Sequence, residues 1–559
     1  MLFLFTIVYA VAVRGILLNR PFVRDIEGVS AYYGILARNY FRYDWSQTLG
    51  VPACSMGKSP DAPILYAHHP PLVFLLVAVA YALFGYRGSF DALPPDWQLR
   101  LVPACFCVGC IVLIYRLLRH RAGARPAAMA ALLFAAMPIT IVFGGHADVI
   151  NPQLVFFCLL TIAAYQNLHA RPTFAAASWT ALAFIPAGLS DWVAFYLLPI
   201  LAVHWLYTRR LRDWPYALPL FVIGTLVFIG DFVQINMAWH EADWFTKLIL
   251  HRTAAGESDA GTKFTFVDWI RVALIERDAK QHTPWLLLLA VAWIVLDLGR
   301  CLSRGRTSST SQPAVSFCRL TLAWGIVHVF VGRQGVYNHL WWWWPLTPGV
   351  AIAAAMLLDS TATAIESRGY LRRQINIALV AGLILFVAWY TPTTLQAELN
   401  PERHSTDPTF AADDYGRAIR IATPPGRAVI LADTDRSVCL WYYGDRPIIF
   451  NVWDPVTLEE QLKPPLKQGE LPWIYFQPLA APPAAIVIPR AYMHMVDEFI
   501  RYLDAHYQPV SLPPSLDRQF LAYDLTTPAG PHYAGIALPG HSRFVSPSRT
   551  ASFVSSATE

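Results

Sequence analysis

Twelve stretches of about 15 to 22 predominantly apolar residues set the first limit on what this chain can fold into. They begin near Leu2, Leu72, Leu101, Ala127, Leu154, Phe174, Trp192, Tyr216, Trp285, Phe317, Trp341 and Ile375. Runs of that length can cross a bilayer as helices, which satisfy their own backbone hydrogen bonds without water. Of the 559 residues 55% are hydrophobic and only 14% charged, a balance that a water-soluble protein of this size would not sustain. The fold class expected is a polytopic α-helical membrane protein with about 11 to 13 transmembrane helices.

After Pro392 the pattern changes. Short apolar strands, AVILAD, PIIFNV, AAIVIP and FLAYDL, alternate with helical stretches such as HMVDEFIRYLDAH, as in a small α/β domain. The expected division is a transmembrane module over residues 1–392, carrying juxtamembrane helices near 25–62, then an α/β extracytoplasmic domain over 393–540 and a disordered, serine-rich tail over 541–559.

The net charge of +5 comes from short basic clusters between apolar runs, which argues against nucleic-acid binding and for topology signals. RLLRHRAGAR (116–125), TRRLR (208–212), GRCLSRGR (299–306) and SRGYLRR (367–373) all fall on the cytoplasmic side by the positive-inside rule. The intervening segments 146–148, 190–191, 237–283 and 333–339, and the C-terminal domain, then lie outside. The N-terminus is expected in the cytoplasm and the protein in the plasma (inner) membrane. The first apolar run lacks a small-residue cleavage site, so it reads as a retained helix. Parity is then restored most simply if the run at about 72–84 dips into the membrane without crossing, leaving about eleven crossings. Five cysteines (Cys105, Cys107, Cys110, Cys158, Cys318) sit in or beside apolar runs and read as packing groups; Cys54 and Cys439 can face an oxidising compartment, with no pairing expected.

Directly after the first run comes VRDIEGVSAYYGILARNYFRYD (23–44). As a helix it places Ile26, Val29, Tyr33, Leu36 and Tyr40 on one side and Glu27, Ser30, Gly34, Arg38 and Arg42 on the other, the pattern of an amphipathic helix lying in the interface with arginines toward anionic lipid. Asp25 stands at its start, where it can cap the helix. At about 100° per residue Asp25 and Glu27 point about 160° apart, so they serve different tasks: one approaches a substrate, the other binds Arg38, a metal or the next loop.

Three further outer segments gather polar groups at one face. YAHHPPLVF puts His68 and His69 before two prolines at the mouth of an apolar run; such imidazoles hold a phosphate, a metal or nothing. GGHADVINP brings His146 and Asp148 to a helix end, with Gly144 and Gly145 permitting close backbone approach, and a carboxylate there must face a cavity or a partner. MAWHEADWFTKLILHRT carries His240, Glu241, Asp243 and His251 among tryptophans, a composition shared by sugar-binding surfaces and ordinary interfacial helices. The run WWWW (341–344) reads first as an aromatic belt, and Tyr337 and His339 just before it are the better site candidates.

The order RDIEGVSAYYGILARNYF, HHPPLVFLLVAVAYALFG, WQLRLVPA, HADVINP and, late in the chain, QGVYNHLWWWWPLTPGVA resembles the GT-C membrane glycosyltransferases, in the branch of protein O-mannosyltransferases and lipid A aminoarabinose transferases. The likeness is good over about residues 1–170 and rests on layout beyond that. It implies transfer of a sugar from a polyprenyl-phosphate-linked donor to a lipid, glycan or protein acceptor at the outer face, among membrane lipids and without nucleic acid. It also implies Asp25 as catalytic base and Asp148 as a second acidic site residue, with Glu27 in reserve. A base that takes the acceptor's proton is worth about 10²- to 10⁴-fold, and the leaving phosphate needs positive charge or donors, for which His69, Arg100 and His339 are candidates. Where the family pattern often has lysine before the proline pair, this chain has His69; it also has Asp191 in LSDWVAF where a basic or neutral residue is expected. The first departure weakens a phosphate role for His69 and points to a divalent cation, with Glu27, His69, His240 and Glu241 as ligand candidates; the second points to a different donor or acceptor.

The rival expectation is a transporter or flippase of lipid-linked or sugar substrates. Against it stand the clustering of ionisable groups at one face, the lack of an inverted repeat, and the expectation that no acidic residue lies well inside a span.

Overall fold

The computed structural model describes residues 1–22, 25–58, 63–148, 150, 152–239, 243–253, 264–304, 313–367, 372–399, 411–433, 437–466, 468–472 and 475–528. Seven helices among them are long and apolar enough to cross a membrane: Asp96–Ala122, Pro152–Ala170, Trp214–Ala238, Pro284–Ser303, Pro313–Val331, Leu340–Glu366 and Arg372–Leu399. Five shorter apolar helices, Leu2–Leu18, Leu72–Leu83, Ala124–Ala136, Phe174–Gly188 and Trp192–Thr208, account for the remaining apolar runs. We label Leu2–Leu18 α1, Asp25–Asn39 α2, Leu72–Leu83 α3, Asp96–Ala122 α4, Ala124–Ala136 α5 and Pro313–Val331 α6. At about 1.5 Å per residue α3 is about 18 Å long, well short of the hydrocarbon thickness of a bilayer.

Proline fixes where several of these helices start. Pro138, Pro152, Pro284 and Pro313 each open one, where a missing N–H costs no hydrogen bond and the ring's φ already suits the first turn. Two buried acidic residues stand inside spans, contrary to the expectation from sequence. Asp231 in Trp214–Ala238 and Asp297 in Pro284–Arg304 each lie seven residues from a helix end, about 10 Å, and both are buried. Asp297 takes a two-pronged bond from Arg319 at 2.7 and 2.9 Å, which shows how the fold carries that charge.

Helix α2 also departs from its expected role. It does not lie open on a surface with its arginines toward lipid: Ser30, Tyr32, Ile35, Leu36 and Arg38 are all fully buried. The reason is that other segments wrap it. Tyr33 packs edge-on to Phe74 of α3 (ring centroids 4.8 Å), Asn39 donates to the Ala53 carbonyl at 2.7 Å, and Ser30 Oγ reaches the Ala147 carbonyl at 3.4 Å. The WWWW run is likewise no belt. It forms a 3₁₀ turn, Leu340–Leu346, in which Trp343 and Trp344 are fully buried and Trp344 packs edge-on to Phe134 of α5.

By internal packing the chain divides into two units, Met1–Cys54 with Leu65–Ser405, and Ser55–Ile64 with Thr406–Glu559. The second unit holds a seven-stranded sheet built from β1 (Val429–Leu431), β2 (Ile448–Ile449), β3 (Gly469–Leu471), β4 (Tyr475–Gln477), β5 (Ala485–Pro489), β6 (Tyr507–Pro509) and β7 (Phe520–Pro528), in the order β4-β3-β2-β1-β5-β7-β6. β1 runs parallel to β2 and β5, and the other pairs are antiparallel. The four apolar strands read from sequence are β1, β2, β5 and β7. Helix Asp497–His506 covers one face with Phe499, Ile500 and Leu503 against Ile430, Ile486 and Ile488. The early excursion joins this unit through Gln477, whose amide accepts from Met56 N at 2.9 Å and donates to Met56 O at 3.2 Å. Residues 541–559 lie outside the described residues. All eight cysteines are unbridged.

Candidate active site

The backbone of Asp25 opens α2; its side chain lies outside what is described, and so do His240 and Glu241. Two residues on, Glu27 is fully buried and held between two arginines: Arg20, from the turn after α1, and Arg100, from the first turns of α4, whose Nη2 lies 2.9 Å from Glu27 Oε1. Arg100 also donates from Nε to the Arg20 carbonyl at 3.2 Å and lies 4.2 Å over the Phe22 ring. Arg20 reaches on to Glu398 near the end of the last long helix, at 3.2 Å. Glu27 therefore belongs to an arginine clamp that ties α1, α2 and α4 together.

A second centre forms where the HHPP turn meets the LSDW turn. His69 Nδ1 lies 2.6 Å from Asp191 Oδ2, with both side chains buried. Asp191 Oδ1 accepts from Val193 N at 2.8 Å, capping the 3₁₀ turn that follows. A carboxylate so fixed orients the imidazole. Asp191, out of place by family pattern, is thus the partner of His69. His68 points elsewhere: its ring lies parallel to Trp239 and close to Tyr66 (4.9 Å).

Asp148 is buried at the end of the GGHAD segment, its Oδ1 accepting from Ile150 N at 3.2 Å. Tyr33 of α2 connects it to the His69 centre. Burial pushes the Tyr33 phenol well above its ordinary range, and Tyr66, Asp148 and Asp191 beside it push it further, so it stays a neutral hydrogen-bonding group. Aromatic contacts bring in the late segment: His339 stacks on Trp341 (4.7 Å), Trp341 packs on Phe143 (6.0 Å), and Phe143 meets His146 edge-on (5.2 Å). Tyr337 instead stacks on Phe264 at 4.3 Å.

The structure thus groups Glu27 with Arg100, His69 with Asp191, Asp148 with Tyr33, and His146 with His339 through two rings. It sends His68 and Tyr337 to aromatic packing. No group of three or more His, Cys, Asp or Glu side chains suited to a metal occurs among the described residues. Sequence reasoning missed Arg20, Tyr66 and Glu398. For Arg20 there was a signal, a basic residue beside Pro21 and seven positions before Glu27 at the end of an apolar helix.

Comparison with known proteins gives this geometry a context. Residues 64–230 match the family model for dolichyl-phosphate-mannose-protein mannosyltransferase. Protein O-mannosyl-transferase 1 of Danio rerio is 25% identical over 152 residues, 24% of this chain, and the chain spans about a fifth (21%) of that relative's length. ArnT from Cupriavidus metallidurans, crystallised with undecaprenyl phosphate, superposes with a TM-score of 0.59 at 17% identity, covering 93% of this chain and 97% of that one. The oligosaccharyltransferase AglB of Archaeoglobus fulgidus, solved with an inhibitory peptide and a dolichol-phosphate, gives 0.54 at 13% identity over 91% of this chain and 72% of that one. This is therefore a multi-pass membrane protein with the fold of ArnT.

Proposed function

We propose that the protein transfers a glycosyl group from a polyprenyl-phosphate-linked donor to an envelope acceptor, a lipid, glycan or protein, at the outer face of the inner membrane. In this reading the N-terminus is cytoplasmic and the small sheet domain, outside the membrane, helps to bind the acceptor. The observation that carries the proposal is the seating of α2: the helix that begins at Asp25 packs on the Asp148 segment through Ser30 and Tyr33, and Tyr33 also feels Asp191.

Asp25 takes the proton of the attacking acceptor hydroxyl or amine as that group bonds to the anomeric carbon. The bond from that carbon to the phosphate oxygen breaks, and polyprenyl phosphate leaves with the electron pair. Asp148 orients the acceptor or the sugar. His69, aimed by Asp191, donates to the leaving phosphate. Glu27, enclosed by Arg20 and Arg100, holds the start of α2 rather than acting as a second base.

The test is purified protein with lipid-linked sugar and envelope extract as acceptor source. Asp25→Asn should lose at least about 10²-fold in transfer while unfolding at the wild-type temperature. Full activity in that variant overturns the mechanism. A second reading, carriage of a lipid-linked substrate across the membrane, draws on Asp231, which is buried within a span with its Oδ2 lacking a hydrogen-bond partner. It requires sugar-lipid translocation in proteoliposomes that Asp231→Asn removes and Asp25→Asn leaves intact.

A further inference from the structure

The first turn of α1 and the last turns of α4 form a basic cleft at the opposite end of α1 from the candidate active site. Phe3 lies in that first turn, and about 23 Å of helix separates it from Leu18, beyond which Arg20 and α2 follow. Its ring stacks face to face on Tyr115 of α4, with centroids 3.6 Å apart and planes 8° from parallel. Beside the stack opens a cavity of about 450 Å³ lined by Phe3, Tyr115, Arg116, Arg119 and His120. Small-molecule sites span about 300–1,000 Å³, so a headgroup-sized ligand has room here.

Arg116, Arg119 and His120 stand at i, i+3 and i+4 and so share one face of α4. All three are exposed, and Arg119 lies 5.8 Å from the Tyr115 ring. Among the described residues none of the three side chains makes a hydrogen bond or an ion pair. Arg121 over the Phe317 ring at 5.8 Å, and Arg125 on Asp359 and Glu366, set this end of α4 beside the segments that carry the other basic clusters. The carboxylates beside those clusters are already engaged: Asp359 and Glu366 by Arg125, Asp297 by Arg319, and Asp213 by Arg209 and Arg212. The neighbouring stretches 305–312 and 368–371, outside the described residues, contain no Asp or Glu and add Arg306 and Arg368.

A helix C-terminus favours cations, which accounts for basic residues in the last turns of α4. It does not account for an unfilled cavity between them, because like charges one turn apart repel and an anion placed there relieves them. The apolar side of the cleft tells which anion. Leu4, Val8 and Val11 recur at i, i+4 and i+7 along α1 and are 68, 61 and 54% exposed. On a membrane-embedded helix such a stripe faces acyl chains. The fitting ligand is therefore amphipathic, with its charge among the cations and its chains along α1, whereas a soluble phosphate would leave the stripe unused.

We infer that the cavity between the Phe3–Tyr115 stack and Arg116, Arg119 and His120 binds the headgroup of an anionic phospholipid. Its phosphate takes donors from the two guanidiniums and the imidazole. With the N-terminus cytoplasmic, as proposed above, this is the inner leaflet, whose anionic lipids attract juxtamembrane basic residues. The inference stands whether or not the chain transfers sugar.

The test is native mass spectrometry of the full-length protein released from detergent and titrated with phosphatidylglycerol, with phosphatidylcholine of the same chains, and with glycerol 3-phosphate. Phosphatidylglycerol should give a saturable one-to-one adduct at concentrations at least about tenfold below those at which the other two bind. Arg116→Gln combined with Arg119→Gln should weaken that adduct about tenfold or more while melting as wild type does. Arg300→Gln, which removes an exposed arginine of the 299–306 cluster, should leave the adduct unchanged. Phe3→Glu keeps all three cations and sets a carboxylate in the cavity, so it should abolish the adduct; it carries the test should the double variant not fold. Equal binding of the two lipids overturns the proposal, as does glycerol 3-phosphate binding as tightly as phosphatidylglycerol. So does a double variant or a Phe3→Glu protein that binds as wild type does, or an equal loss in Arg300→Gln.

Discussion

His69 Nδ1 and Asp191 Oδ2 stand 2.6 Å apart with both side chains shut away from solvent, one at the end of the HHPP turn and the other 122 residues later. Because Asp191 is itself fixed by the Val193 amide, the imidazole has one orientation open to it. Asp191→Asn should therefore lower stability by about 3–5 kcal/mol if His69 carries its proton, since a lone buried charge remains. The double variant with His69→Gln should cost clearly less than the two single costs combined. Unfolding midpoints in detergent check this, and strict additivity would remove the coupling.

The arginine clamp predicts a different kind of loss. Glu27→Gln leaves Arg20 and Arg100 facing a neutral amide in a buried setting, at a cost of about 3–5 kcal/mol. Glu27→Gln should fall in midpoint and transfer together, whereas Asp25→Asn should fall in transfer alone. Side-by-side melts and single-turnover assays separate the two; a Glu27→Gln protein that melts like wild type would return Glu27 to the list of candidate bases.

How far the sequence could be read depended on the range of the interaction. Apolar run length is local, so all twelve runs and the strands AVILAD, PIIFNV, AAIVIP and FLAYDL were legible in it. The side of a helix that ends up covered is not local. Arg38 looked like a lipid-facing arginine because the spacing of α2 shows amphipathicity, while the segments that pack on the helix, through Ser30, Tyr33 and Asn39, come from Ala53, Tyr66, Phe74 and Ala147. Likewise Asp191 looked misplaced because its partner lies far away in the chain. Asp231 and Asp297 were legible and overlooked, since each interrupts an apolar run.

Cys54 supplies a pH dependence. Burial pushes its thiol up to about 12, whereas an unfolded cysteine ionises near about 8.5. Above about pH 8.5 the unfolded chain gives up a proton that the folded chain keeps, so stability should fall by about 1.4 kcal/mol per pH unit from that side until about pH 12. Below about pH 8.5 the thiol contributes no slope. Cys54→Ala should flatten this part of the stability profile between pH 9 and 11, and the folded wild type should leave Cys54 unlabelled by maleimide at about pH 8. Rapid labelling of Cys54 without unfolding would contradict its burial.

Gly325 of α6 bears on the site through backbone alone. A Cβ there would lie 2.5 Å from Leu346 Cα and 2.8 Å from the Pro345 carbonyl oxygen, and backbone cannot swing aside as a side chain can. Gly299, also in a long helix, would meet nothing within 4 Å. Alanine favours a helix over glycine by about 1 kcal/mol, so Gly299→Ala should be neutral or mildly stabilising. Gly325→Ala should instead cost about 1–3 kcal/mol by overpacking. The displaced turn is the one that carries Trp341 against Phe143 and His339 against Trp341, so the same substitution should also reduce transfer although it touches no ionisable group. Midpoints and initial rates for the two alanine variants decide the matter: equal behaviour would mean that α6 does not hold the tryptophan turn in place.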